Sequence, residues 1–137
     1  MERMNKIVKY LSSTYKTSDP FALADILGID IQWWNFIDEP KGDTVSPLGH
    51  PVILLNDSLI DSNEKYFVCA HELGHALEHV EFAGYYISNN RIKNKYEYEA
   101  DSFAAELLIG LYEEDFRYLP NTYDDLRRAY GYPSQSL

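Results

Sequence analysis

The chain has 137 residues and a mass of 15.9 kDa with 45% hydrophobic residues, enough for a single domain spanning 1–137 and short of two. Its 12 Lys and Arg against 22 Asp and Glu give a net charge of -10 and a pI near 4.7, which argues against direct nucleic-acid binding and suits a basic protein partner. A single cysteine excludes an intrachain disulfide, no apolar run is long enough to cross a bilayer, and Met1 to Lys16 lacks a secretory pattern, so the expected compartment is the cytoplasm.

Met4, Ile7, Val8, Leu11 and Tyr15 recur at spacings of three and four and predict an amphipathic first helix. A second helix follows, with Asp19 as its N-cap, Pro20 at its first position and Gly28 closing it. From Ile29 to Phe36 the residues alternate and are rich in β-branched and aromatic types, which predicts a strand with Trp33 and Trp34 on opposite faces. Glu39 to Asp43, and then Pro47 and Gly49, read as turns before a second strand, Val52 to Leu55. That segment, extended to Asn56, is a candidate edge strand for aligning an extended peptide, with plain structural pairing the equal alternative.

Asp61 and Glu64 form a capping pair for the next helix, whose centre is Tyr66 to His79, Y-F-V-C-A-H-E-L-G-H-A-L-E-H. This stretch contains H-E-x-x-H as His71, Glu72 and His75. One helical turn separates the histidines, about 6 Å between their side-chain roots, so both imidazoles reach one zinc ion. Glu72, beside the first of them, is positioned to take a proton from the attacking water, whose acidity a metal would raise. Gly74 costs about 1 kcal/mol of helix propensity relative to alanine and so marks close packing of another backbone against this helix. Cys69 reads as a small core residue. His79 is two turns from His71, roughly 12 Å of rise, too far to share its ion, and His50 sits in a turn-rich stretch at the surface.

Two histidines need a third protein ligand. Lys95 to Ile109 is a second apolar-periodic helix in which Glu97 and Asp101, four apart, share a face. Glu97 suits the metal, and Asp101 suits the second ring N–H of a ligating histidine, fixing its tautomer. Glu99 points away and Glu106 is about two turns further on; the bland alternative is that these carboxylates form a solvated acidic face. The connection from Val80 to Asn94 is long enough to overhang the site, where Tyr85 or Tyr86 is a candidate oxyanion donor, packing being the default for either. Gly110 is expected to end the second site helix. Leu111 to Pro120 then reads as irregular, and a last helix, Tyr123 to Tyr130, is capped by Asn121 or Thr122 and closed by Gly131. Pro133 and Ser134 look like the start of a helix that does not develop.

F-V-C-A-H-E-L-G-H-A-L-E-H followed by E-Y-E-A-D-S-F-A-A-E-L-L resembles the ImmA/IrrE family of zinc metallopeptidases, found in temperate phages, integrative elements and bacterial genomes. The likeness extends upstream through Tyr15 to Ile31 and through the strand ending at Asn56. It implies zinc on His71, His75 and Glu97, with Glu72 as general base. It also implies an α+β, mainly helical, gluzincin-like domain with a small antiparallel or mixed sheet beside the H-E-x-x-H helix. The family's expected partner is a helix-turn-helix transcriptional repressor, which is cleaved or inactivated. The alternative is a zinc-containing binding module that grips the repressor without cutting it.

Overall fold

The computed structural model describes residues 2–78 and 90–133. It is an α+β, mainly helical structure whose elements in chain order are α1 (Glu2–Tyr15), α2 (Pro20–Ile26), β1 (Asp30–Trp34), β2 (Gly42–Val45), β3 (Val52–Asn56), α3 (Glu64–Glu78), α4 (Asn90–Phe116) and α5 (Tyr123–Tyr130). No helix among the described residues is long and apolar enough to cross a membrane.

Local chemistry sets most of the boundaries. The Asp19 carboxylate accepts from the amides of Phe21 (2.9 Å) and Ala22 (3.4 Å), which starts α2 at Pro20. At α3 the expected cap is displaced by one residue, because it is Ser62 Oγ, not Asp61, that accepts from the Glu64 amide at 3.1 Å. Thr122 caps α5, and the Asp125 carboxylate reaches back to the amides of Asn121 (2.7 Å) and Thr122 (3.3 Å). Gly131 closes α5 at φ 74, its amide donating to Arg127 at 2.8 Å.

The sheet is mixed, in the order β1-β3-β2. β3 is its central strand, parallel to β1 from Asp30↔Val52 to Trp34↔Asn56 and antiparallel to β2 from Gly42↔Leu55 to Val45↔Val52. Val52 to Asn56 is therefore no edge. Burial explains this, since Ile53 and Leu55 on one face are 0% exposed, Leu54 and Asn56 on the other are 6% and 1% exposed, and a strand buried on both sides belongs in the middle. The edge toward α3 is β2, whose first two residues were expected to be turn.

α3 packs against both this sheet and α4, and α1 packs on α4. Leu73 of α3 and Phe103, Leu107 and Leu108 of α4 are wholly buried there, with Met4 and Leu11 of α1 beside them. A Cβ on Gly74 would sit 3.2 Å from the Phe103 ring, so the close neighbour is a side chain of α4, not a backbone. Cys69 is buried in the same core, where desolvation raises its thiol pKa well above the ordinary value.

Gly110 does not end α4, which runs to Phe116, so most of the stretch expected to be irregular is helical. A Cβ at Gly110 would meet Ser18 Oγ at 2.5 Å: the glycine admits the α1–α2 connection. The stop comes at Arg117, which takes φ 71 and donates its amide to Glu113 at 2.8 Å, a left-handed closure without glycine. At the other end, residues 90–94 are helix, not connection. His79, Tyr85, Tyr86 and Ser134 lie outside the described residues, while Pro133 is non-helical.

One stability prediction arises from the α5 closure. Beyond its positive φ, Gly131 faces the Glu64 backbone, where an added Cβ would stand 2.7 Å from Cα. Gly131→Ala should cost about 2–4 kcal/mol. The check is the midpoint of chemical denaturation, and an unchanged midpoint would show that this contact contributes nothing.

Candidate metal centre

α3 is buried on most of its circumference, including Glu72 (8% exposed) and His75 (9%). Polar groups so enclosed need partners, and α4 supplies those of the histidines. The Glu97 carboxylate spans both imidazoles, with Oε1 at 3.1 Å from His71 Nε2 and Oε2 at 2.8 Å from His75 Nε2. Asp101, one turn along, has Oδ1 at 2.8 Å from His71 Nδ1. Both ring nitrogens of His71 are thus engaged, and its ring is also packed by Phe67, centroids 5.8 Å apart. Glu99 points elsewhere, buried near Arg3 with 3.7 Å between charged groups. His50 is exposed. The acidic residues of α4 are therefore not a uniform solvated face.

The electrostatics follow from this geometry. Burial alone would lower the pKa of His71, but the hydrogen bonds to Asp101 and Glu97 outweigh it and push the value up to about 10. Glu97 shows the converse: burial raises its pKa, yet the bonds from His71 and His75 hold it well below the carboxylate range. The cluster stabilises positive charge at its centre. A divalent cation satisfies the same demand as a proton.

The donor set also fits an ion sterically. One ligand atom from each of His71, His75 and Glu97 can be chosen with all three within 4.8 Å of one another. Ligands about 2.0–2.2 Å from a tetrahedral zinc lie roughly 3.3–3.6 Å apart, so only small adjustments are needed. Two imidazoles and a carboxylate are the donor types of an open catalytic zinc site.

Glu72 stands beside this cluster with a partner that the sequence did not suggest. Thr44 of β2 donates through Oγ1 to Glu72 Oε1 at 2.7 Å and lies 3.1 Å from the Glu72 carbonyl oxygen. Burial raises the Glu72 pKa, countered in part by His71, His75 and the Thr44 bond. β2 approaches this closely because of Gly42, where a Cβ would meet Val68 Cγ1 at 2.6 Å and Glu72 Cγ at 3.2 Å. The signal was the alternation G-D-T-V, Gly42 and Thr44 sharing a face. A cleft of about 290 Å³ opens here, lined by Phe67, Val68, His71 and Glu72 together with Lys41 and Asp101. Lys41 is tied to the start of α3 by a 2.6 Å ion pair with Glu64.

Two comparisons with known proteins bear on this arrangement. The family model Peptidase_M78, described as the IrrE N-terminal-like domain, matches residues 24–136. A protein of Bacillus phage phi105 named "Uncharacterized immunity region protein 2" is 33% identical over 131 residues, covering 93% of this chain and 82% of the phage protein.

Proposed function

Since the chain belongs to the M78 peptidase family, that of the IrrE N-terminal-like domain, we propose that it is a cytoplasmic zinc endopeptidase that cleaves a helix-turn-helix repressor. The observation that carries this reading is the convergence of His71, His75 and Glu97 with a buried carboxylate, Glu72, beside them. The immunity-region name of the phage relative supports a repressor as partner, and so does the net charge of -10, which attracts a basic DNA-binding protein. In this reading residues 1–137 act as one peptidase domain.

His71, His75 and Glu97 would hold the zinc, which when bound acidifies water and polarises the scissile carbonyl. Asp101 and Phe67 hold the His71 ring in orientation. Thr44 occupies Oε1 of Glu72 and leaves Oε2 for the attacking water. As the water oxygen bonds to the carbonyl carbon, Glu72 takes its proton; it delivers that proton to the amide nitrogen as the C–N bond breaks. Among the described residues β2 is an end strand that would pair with an extended substrate once the Thr44 amide exchanges its 2.9 Å bond to the Asp43 carboxylate for one to the peptide, and the cleft at Phe67 and Val68 would accommodate one of its side chains.

The test is incubation of the zinc-loaded chain with the repressor of its own genetic element, followed by intact-mass spectrometry. One discrete cut, abolished by a chelator and restored by zinc, is expected; a repressor that stays intact yet leaves its operator overturns the peptidase reading.

Thr44→Val supplies a pH prediction. The Thr44 hydrogen bond favours ionised Glu72, so its loss raises a pKa that burial has already raised. Glu72 works as a base only above that pKa, and the acidic limb of kcat/KM should therefore move to higher pH. An unmoved limb would separate Thr44 from the base.

A further inference from the structure

A groove of about 430 Å³ lies where α2 turns into β1, lined by Phe21, Asp25, Gly28, Ile29, Asp30 and Ile31. Among the described residues β1 is an end strand of the sheet, paired on one side with β3. Asp30 and Ile31 are consecutive and send their side chains to opposite faces. A groove that touches both reaches the outer edge at the first two residues of the strand, because β3 occupies the inner one. Exposed edges invite pairing, and proteins usually blunt them with lysine, proline or a covering element. β1 carries none of the first two. It presents Trp33 and Trp34, 37% and 49% exposed, with Ile37 beyond them at 77%.

One face of β1 is also ordered, and it carries the negative charge of Asp30. Gln32 Nε2 donates to Asp30 Oδ2 at 2.8 Å and Gln32 Oε1 accepts from Trp34 Nε1 at 3.0 Å, a polar ladder along alternate residues. Trp33 stacks on Phe21 of α2, centroids 6.2 Å apart. Asp25 and Asp30 are both exposed at the groove, and the salt bridges among the described residues involve neither. A second copy of this chain would bring the same acids against them.

We infer that the outer edge of β1 and its groove dock an extended segment of a protein partner in which Lys or Arg alternates with apolar residues. Backbone pairing supplies the register, Phe21 and Ile31 receive apolar groups, and Asp25 and Asp30 select the cations. β2, which carries Thr44 to Glu72, is the opposite edge of the sheet, so this is a holding site away from the cut. Only the partner's identity as substrate rests on the peptidase reading.

Trp33 and Trp34 are the only tryptophans in the chain, so indole emission reports directly on β1. The full chain carrying Glu72→Gln is titrated with a short peptide alternating Lys and Val, and with a control alternating Glu and Val. The expected result is a saturable emission change with the Lys peptide alone, its dissociation constant rising about tenfold in Asp25→Asn/Asp30→Asn. With the intact enzyme, the same double substitution should raise KM for the repressor and spare kcat. No response, an equal response to the Glu peptide, or indifference to the double substitution overturns the inference. Self-association of the chain that the double substitution abolishes does so too. A wild-type chain that cuts nothing defeats the peptidase reading alone, since the titration needs no cleavage.

Discussion

Glu72→Gln is expected to lower cleavage of the repressor by about a thousandfold, the range of a lost general base, with zinc content unchanged. Glutamine has the volume of glutamate, and its amide oxygen can accept the Thr44 Oγ1 hydrogen bond that now measures 2.7 Å. Fold and metal cluster are thereby preserved. What disappears is a carboxylate whose burial, at 8% exposure, makes it more basic than one in water. Single-turnover cleavage and elemental analysis on one preparation separate chemistry from metal loss. Should Glu72→Gln inactivate the repressor as well as the wild type does, the chain acts by gripping its partner, and peptide hydrolysis is not its function.

Much of this arrangement was legible because helical spacing is a strong constraint. His71 and His75 on one turn, and Glu97 and Asp101 on another, need only two packed helices to meet. The apolar periodicity around Leu73 and Phe103 says that those helices pack. The residues that were missed depend on sheet order, which short strands encode weakly. Val52 to Asn56 looked like an edge because nothing local distinguishes a central strand from an edge when its neighbours are four or five residues long. Gly42 followed Pro40 and read as a turn, yet it is glycine because Val68 and Glu72 leave no room for a Cβ, and Thr44 was lost with it. Gly110 failed for the same reason in reverse. A contact with Ser18 requires it, while Arg117 supplies the left-handed residue that ends the helix. Glycine in a sequence marks either a turn or a close approach, and only the tertiary partner decides which.

Glu97→Ala should weaken zinc binding by more than about a hundredfold, beyond the 10–100-fold expected of an outer partner such as Asp101 in Asp101→Asn. Glu97 offers an oxygen to each imidazole, at 3.1 and 2.8 Å, and its removal leaves two protein ligands where a catalytic zinc site has three. Protons modulate the comparison with a definite sign. His71 is pushed up to about 10, so at neutral pH it is protonated without metal, and zinc, which requires the neutral ring, must displace that proton. Wild-type affinity should therefore climb with pH until about 10. In Glu97→Ala His71 loses one of the two hydrogen bonds that raise its pKa, so the climb should end at lower pH, which partly offsets the missing ligand near neutrality. Competition against a chromophoric chelator across pH measures both effects, with Glu106→Ala on the same helix as the control. Wild-type affinity in Glu97→Ala would remove Glu97 from the ligand set, and a larger loss in Asp101→Asn would exchange the roles of the two carboxylates.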